Sequence, residues 1–200
     1  MPSQTLQPIE KILPELVKPE HRERALFNWA ILSRNLASQT PAKLQSEENS
    51  RGFLATVLVE TAHTLAPIKE MGGHDYLVKH YWLNKDVARV LGNIVESDAI
   101  DYCGKGFIQL TGRENYERAG GALNLPLLSC PHMLLNAERS ALVAAWWWNQ
   151  HGLPATIAQL EKYTDDFNRE RVWEDVRRKV NGGRNGLLDF YRALSFLGVK

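Results

Sequence analysis

Two glutamates ten positions apart, Glu60 and Glu70, are the residues of this chain best suited to acid–base chemistry. One carboxyl kept protonated can give its proton to a leaving oxygen, while a second, ionised, activates a water. Glu60 lies in the run Phe53-Leu54-Ala55-Thr56-Val57-Leu58-Val59-Glu60-Thr61-Ala62-His63. Phe53, Val57, Glu60 and Thr64 fall on one face of a 3.6-residue period, and Leu54, Leu58 and Leu65 cover the neighbouring face. A glutamate set in such a helix loses water, which disfavours its charged form and raises its pKa, as a general acid near neutral pH requires. On one continuous helix the two acids would be separated by roughly 15 Å of rise and about 280° of rotation, and would face apart. Pro67 removes a backbone donor and disfavours helical geometry at Ala66. The helix is therefore predicted to end near Leu65, and the chain to turn Glu70 back toward Glu60. Spacing alone leaves a plainer alternative open, with Glu60 a salt-bridged helix residue and Glu70 a solvated loop charge.

A second conspicuous stretch is Gly104-Lys105-Gly106-Phe107-Ile108-Gln109-Leu110-Thr111-Gly112-Arg113-Glu114-Asn115-Tyr116. It is not a phosphate loop, because Gly106 follows Lys105 where a Ser or Thr is needed and the glycine spacing differs. His63, His74 and His80 meet no metal-ligand spacing, so neither metal nor other cofactor is expected.

The elements that must carry these residues are mostly helical. Residues 20–36 form a helix candidate, and Ser46 is placed to cap the Glu60 helix, with Glu47 and Glu48 at its positive end. Residues 85–95 show a short apolar period. Phe107–Leu110, bounded by glycines, is the best strand candidate. Thr111-Gly112-Arg113-Glu114 reads as a capping box opening a helix that stops at Gly120. Asn136 caps a further helix through Trp146-Trp147-Trp148 to about His151, which three consecutive tryptophans cannot all share on one face. Helices over 155–163, 169–179 and 187–197 complete a single domain, with residues 1–45 as a helical lead-in and 46–200 as the core.

Composition bounds the function. Hydrophobic residues make up 44% of 200, enough for one sizeable core. The formal net charge of +1 gives no field that would favour nucleic acid. Arg171, Arg177, Arg178, Lys179 and Arg184 form a local basic excess that reads as a solvated helix face. Cys103 and Cys130 do not make a disulfide framework, which suggests folding in a reducing compartment. Residues 1–20 hold four prolines and no apolar run of signal-peptide length, and no segment approaches a membrane span. Synthesis in the cytoplasm is expected, with any action on a cell wall in the periplasm following lysis or dedicated export.

Several motifs in this order resemble glycoside hydrolase family 19, most of all its branch of phage endolysins and bacterial lysozyme-like proteins. They are Glu60-Thr61-Ala62-His63, Pro67-Ile68-Lys69-Glu70, the Gly104–Tyr116 stretch, Ala144-Ala145-Trp146-Trp147-Trp148, and Val180-Asn181-Gly182-Gly183-Arg184-Asn185-Gly186-Leu187. The resemblance implies a lysozyme-like, two-lobed helical domain with a very small β element and a central cleft. It implies inverting, metal-free hydrolysis of β-1,4 bonds, with Glu60 as general acid, Glu70 as general base and Thr111 helping to hold the attacking water. Gln109 and Asn115 match positions lining the sugar cleft, Asn181 one that binds substrate and base, and Arg192 one that orients the acids. Tyr102 stands where relatives carry an aromatic residue, able to stack on a sugar or simply to pack. Lys105 and His63 depart from the usual arginine and glycine. Peptidoglycan, cut as by an N-acetylmuramidase, is the expected substrate and chitin oligomers the alternative. A non-catalytic glycan-binding protein is the alternative from another class. A monomer with a possible inhibitor or immunity protein completes the expected partners.

Overall fold

The computed structural model describes residues 7–199, so the first six residues of the lead-in lie outside it. The helices, in chain order, are α1 Ile9–Leu16, α2 Arg22–Gln39, α3 Glu47–Glu60, α4 His74–Val78, α5 Lys85–Val90, α6 Asp98–Asp101, α7 Arg113–Leu123, α8 Ala137–Gln150, α9 Leu153–Ile157, α10 Asp166–Asn181 and α11 Leu187–Phe196. A two-stranded antiparallel sheet pairs β1, Ile68–Lys69, with β2, Lys105–Gly106, in the register Ile68 to Gly106 and Lys69 to Lys105. The molecule is mainly α with a minimal β element, as expected. None of the described helices is long and apolar enough to cross a membrane.

The chain forms two compact units. One holds the residues up to Leu65 and those from Ala145 onward; the other holds Ala66–Ala144. In the first unit α3 is the central helix, buried at almost every position from Asn49 to Leu58. Its start follows the sequence: the Ser46 hydroxyl accepts the Asn49 amide at 3.0 Å. Phe53 meets the edge of Trp148, whose indole donates to Asn49 at 2.9 Å. Trp148 is thus the core member of the tryptophan triplet, while Trp147 stacks on His151. Buried Arg51 donates to the carbonyls of Leu197 and Gln7, tying both ends of the chain to this helix. The lead-in packs into the same unit through Ile9 and Leu13 of α1, a helix that its internal Pro14 hides from a propensity reading.

The end of α3 corrects the sequence reading. The helix stops at Glu60 itself rather than near Leu65, and Pro67 is not the cause. The His63 amide bonds the Leu58 carbonyl at 2.7 Å and the Ala62 amide bonds Val59 at 3.2 Å, with Ala62 left-handed at φ 49°. That is a Schellman stop with alanine where glycine is usual. His63 and Leu65 follow at φ 59° and 46°. The Thr61 hydroxyl donates to the Val57 carbonyl at 2.7 Å and accepts the Leu65 amide at 3.1 Å, which holds the turn closed.

In the second unit the strand is β2, just before the expected Phe107–Leu110. Gly106 and Gln109, at φ 84° and 51°, fold those residues into a tight reversal that bonds Leu110 back to Lys105. The capping box is also absent. Gly112 precedes α7 without a side-chain cap, and the 91–93 turn serves the helix instead. Asn93 Oδ1 accepts the Arg113 amide at 3.1 Å and the Leu91 carbonyl accepts Glu114 at 3.1 Å. The helix runs past Gly120 to a left-handed Asn124. The apolar period over 85–95 yields helix only to Val90, with Val90, Ile94 and Val95 exposed.

Candidate active site

In the first unit, Glu60 is the last residue of α3, and its Oε1 accepts a hydrogen bond from Arg177 Nη1 at 2.6 Å. The side chains are 17% and 5% exposed, so the acid is sheltered but ion-paired. The plainer reading of Glu60 as a salt-bridged helix residue therefore describes its geometry, and it does not exclude chemistry. Arg177 also donates from Nε to the Asn185 carbonyl at 2.9 Å, and the Asn181 amide donates to that same carbonyl. The 182–186 loop is thereby fastened to the partner of the acid. Gly186 lets it approach: a Cβ there would stand 2.9 Å from Arg177 Nη2 and 3.0 Å from Val59, at a left-handed φ of 68°.

In the second unit, Glu70 follows β1 and both of its carboxylate oxygens are engaged. Tyr81 donates to Oε1 at 2.8 Å, and the Gly104 amide donates to Oε2 at 3.1 Å. The Glu70 amide in turn bonds the Gly104 carbonyl at 2.7 Å. Three side-chain oxygens converge beside Gly104. A Cβ on that residue would lie 2.9 Å from Gln109 Oε1, 3.2 Å from Glu70 Oε2 and 3.3 Å from Thr111 Oγ1. Tyr81 sits in a π-helical turn, Lys79–Leu83, a form that recurs at functional positions. Burial, the hydrogen bond to Glu70 and the charge of that carboxylate all hold its phenol well above the ordinary tyrosine range.

No family model matches the chain. Among curated relatives, an endochitinase of Arabidopsis thaliana is 34% identical over 84 residues, 42% of this chain and 25% of its own length. A glycosyl hydrolase family 19 domain-containing protein of Haemophilus influenzae is 32% identical over 116 residues, 56% of this chain and 50% of its own. The chain spans at most half the length of these relatives. Chitinase C from Streptomyces griseus superposes with a TM-score of 0.59 at 19% identity, over 96% of this chain and 76% of that one. A chitinase C mutant gives 0.60 at 20% identity, over 92% and 94%. The chain is similar to glycoside hydrolase family 19 and has the chitinase C fold.

The remaining residues suggested by the likeness to family 19 separate into those near an acid and those that are not. Gln109 donates from Nε2 to the carbonyls of Ile68 and Gly106 at 3.0 and 2.9 Å, which turns Oε1 toward Gly104. Thr111 is not a helix cap; its hydroxyl donates to the Gln109 carbonyl at 2.9 Å and keeps lone pairs for a further donor. Asn115 donates to the Thr111 carbonyl at 2.7 Å and is half-buried. Asn181 closes α10, accepts the Gly183 amide at 2.9 Å and shapes the 182–186 loop. His63 is half-buried at a left-handed φ, which explains in physical terms why glycine suits that position.

One open alternative is decided and one expectation is revised. Tyr102 packs rather than presenting a ring: it is 6% exposed, its hydroxyl donates to the Leu128 carbonyl at 2.9 Å, and it lies against Tyr116. Arg192 is a surface residue of α11, paired with Asp189 at 3.1 Å and 73% exposed. The arginine that contacts Glu60 is Arg177, which the basic excess had disguised. Its neighbours Arg178 and Arg184 pair with Glu174, and Lys179 with Asp175, as a solvated face should. Arg177 instead falls four residues after buried Trp173 and one after buried Val176, and that apolar company was the available signal. Lys105, which stands where relatives usually carry arginine, is buried. Its ammonium donates to the Asp101 carbonyl at 2.7 Å, and burial lowers its pKa. Tyr81 left no periodic signal. No group of His, Cys, Asp and Glu able to hold a metal occurs among the described residues.

Proposed function

We propose that the chain hydrolyses β-1,4 bonds of a glycan containing N-acetylglucosamine by a single displacement. Glu60 gives its proton to the leaving glycosidic oxygen, and Glu70 takes a proton from the attacking water. The observation that carries the reading is the arrangement at Gly104, where the oxygens of Glu70, Gln109 and Thr111 all lie against the same glycine, close to one another. A water beside them can give one proton to Glu70 Oε2 and the other to Gln109 Oε1 or Thr111 Oγ1, which leaves its oxygen lone pair free to attack. At Glu60, Arg177 fixes the side chain and stabilises the carboxylate left once the proton is given.

Peptidoglycan is the substrate we place first, on the resemblance to the endolysin branch. Action on a cell wall, reached through lysis or export, is part of that reading. Chitin is the second reading, favoured by the names of the Arabidopsis and Streptomyces proteins. Both contain the same amino sugar. Turbidity loss of cell-wall suspensions, set beside oligomer release from chitin, separates them. Glu60→Gln should lower turnover at least ~10²-fold on the active substrate with glycan binding kept. Unchanged turnover would remove Glu60 from the mechanism.

A further inference from the structure

We propose that Tyr81 is a positioning residue that decides which oxygen of Glu70 receives the proton; this rests on the reading of Glu70 as general base. A carboxylate offers two nearly equivalent oxygens, and a base that can rotate or share its load wastes its orientation. Here the two oxygens are unequal. Oε1 is occupied by the Tyr81 hydroxyl at 2.8 Å. Oε2 accepts the Gly104 amide at 3.1 Å and is the one that lies against Gly104 beside Gln109 Oε1 and Thr111 Oγ1. A water gathered by those groups meets Oε2. Its O–H bond breaks toward Oε2 while its oxygen bonds the anomeric carbon. The glycosidic C–O bond breaks in the same step, and its oxygen takes the proton of Glu60.

The tyrosine is built to keep that role. Its environment holds the phenol protonated well into alkaline solution, so it remains a donor wherever Glu70 is a base. Its backbone is held as well. The Tyr81 carbonyl accepts Asn93 Nδ2 at 3.0 Å, and Asn93 Oδ1 accepts the Arg113 amide at the head of α7. Asn93 is itself buried. The π-helical turn is thus tied to the helix that follows the Gly104–Thr111 stretch, and the hydroxyl has a fixed origin from which to reach Glu70.

Tyr81→Phe keeps the ring and removes only the donor. With chitin hexamer and cell-wall suspension run in parallel, kcat should fall about tenfold, the worth of one hydrogen bond to a charged group. KM should stay within about twofold. The acid limb of kcat/KM should move to higher pH, as when a carboxylate loses a donor. Unchanged kcat with an unmoved limb overturns the proposal. Glu70→Gln separates the two levels of the reading. If it loses activity while Tyr81→Phe matches the wild type, only the positioning role fails; if it keeps activity, the base assignment fails and this role with it.

Discussion

Arg177→Met should be among the most destabilising single changes in the first unit, and the size can be argued from its contacts. The guanidinium is 5% exposed and Glu60 17%, at 2.6 Å. Removing one partner of a buried pair leaves an uncompensated charge and costs ~3–5 kcal/mol. Glu60 keeps some access to water, which favours the lower end. The Asn185 carbonyl loses one donor but retains the Asn181 amide, so little is added there. A loss of about 3 kcal/mol lowers Tm by roughly 6–12 °C in a chain of this length. Glu60→Gln can still accept from Arg177 but leaves that more deeply buried cation without its counter-charge, so it too should cost about 3 kcal/mol. The double variant carries no unpaired charge. Its loss should fall short of the sum of the singles by at least about 1 kcal/mol, within the range for residues in direct contact. Urea midpoints at constant m-value measure all three. Additive losses, or an Arg177→Met penalty under about 1 kcal/mol, would refute the claim that this pair is buried and coupled.

Other outcomes follow from single contacts. Ala62→Gly should stabilise by up to about 1 kcal/mol, because relief of the left-handed alanine outweighs the added chain entropy at an exposed position; a lower urea midpoint would contradict it. Gly104→Ala should reduce kcat by up to ~10²-fold with the thermal midpoint nearly unchanged, since its Cβ would press on the oxygens of Gln109, Glu70 and Thr111. Full activity in that variant would mean that the placement of these three oxygens does not matter to the reaction. Asp165 caps α10, and its hydrogen bonds with Asn168 hold its carboxyl below the usual carboxylate range. A depressed folded value means the contribution is present above the ordinary carboxylate pKa and lost as pH falls through the folded one. The wild type should therefore exceed Asp165→Asn in stability at neutral pH and converge with it in strong acid, as read by thermal melts across pH. A gap that stays constant into strong acid would show that the charge contributes nothing.

The parts of the fold that were legible in the sequence are those where period and cap agree. Ser46 before α3, Asn136 before α8 and the apolar rows of α10 and α11 all point one way. Legibility failed where local chemistry had two uses. Thr111 looks like a cap because its residue type caps helices, yet Leu91 and Asn93 already satisfy those amides from outside the segment. Pro67 looks like the helix breaker, yet Thr61 and the left-handed Ala62 act first. The site divided in the same way. Glu60, Glu70 and Gln109 could be named from motif and spacing, whereas Arg177 and Tyr81 are defined by long-range partners. Arg177 meets Glu60 across 117 positions of sequence, and no local pattern records that.

The central claim is that Glu70 activates a water and does not itself attack the sugar. Proton NMR of the reducing end formed in the first minutes of cleavage tests this most directly, before mutarotation mixes the anomers. The account predicts the α-anomer as the initial product of a β-1,4 bond. An initial β-anomer would mean retention through a covalent intermediate, and the roles given to Glu70, Thr111 and Tyr81 would not stand.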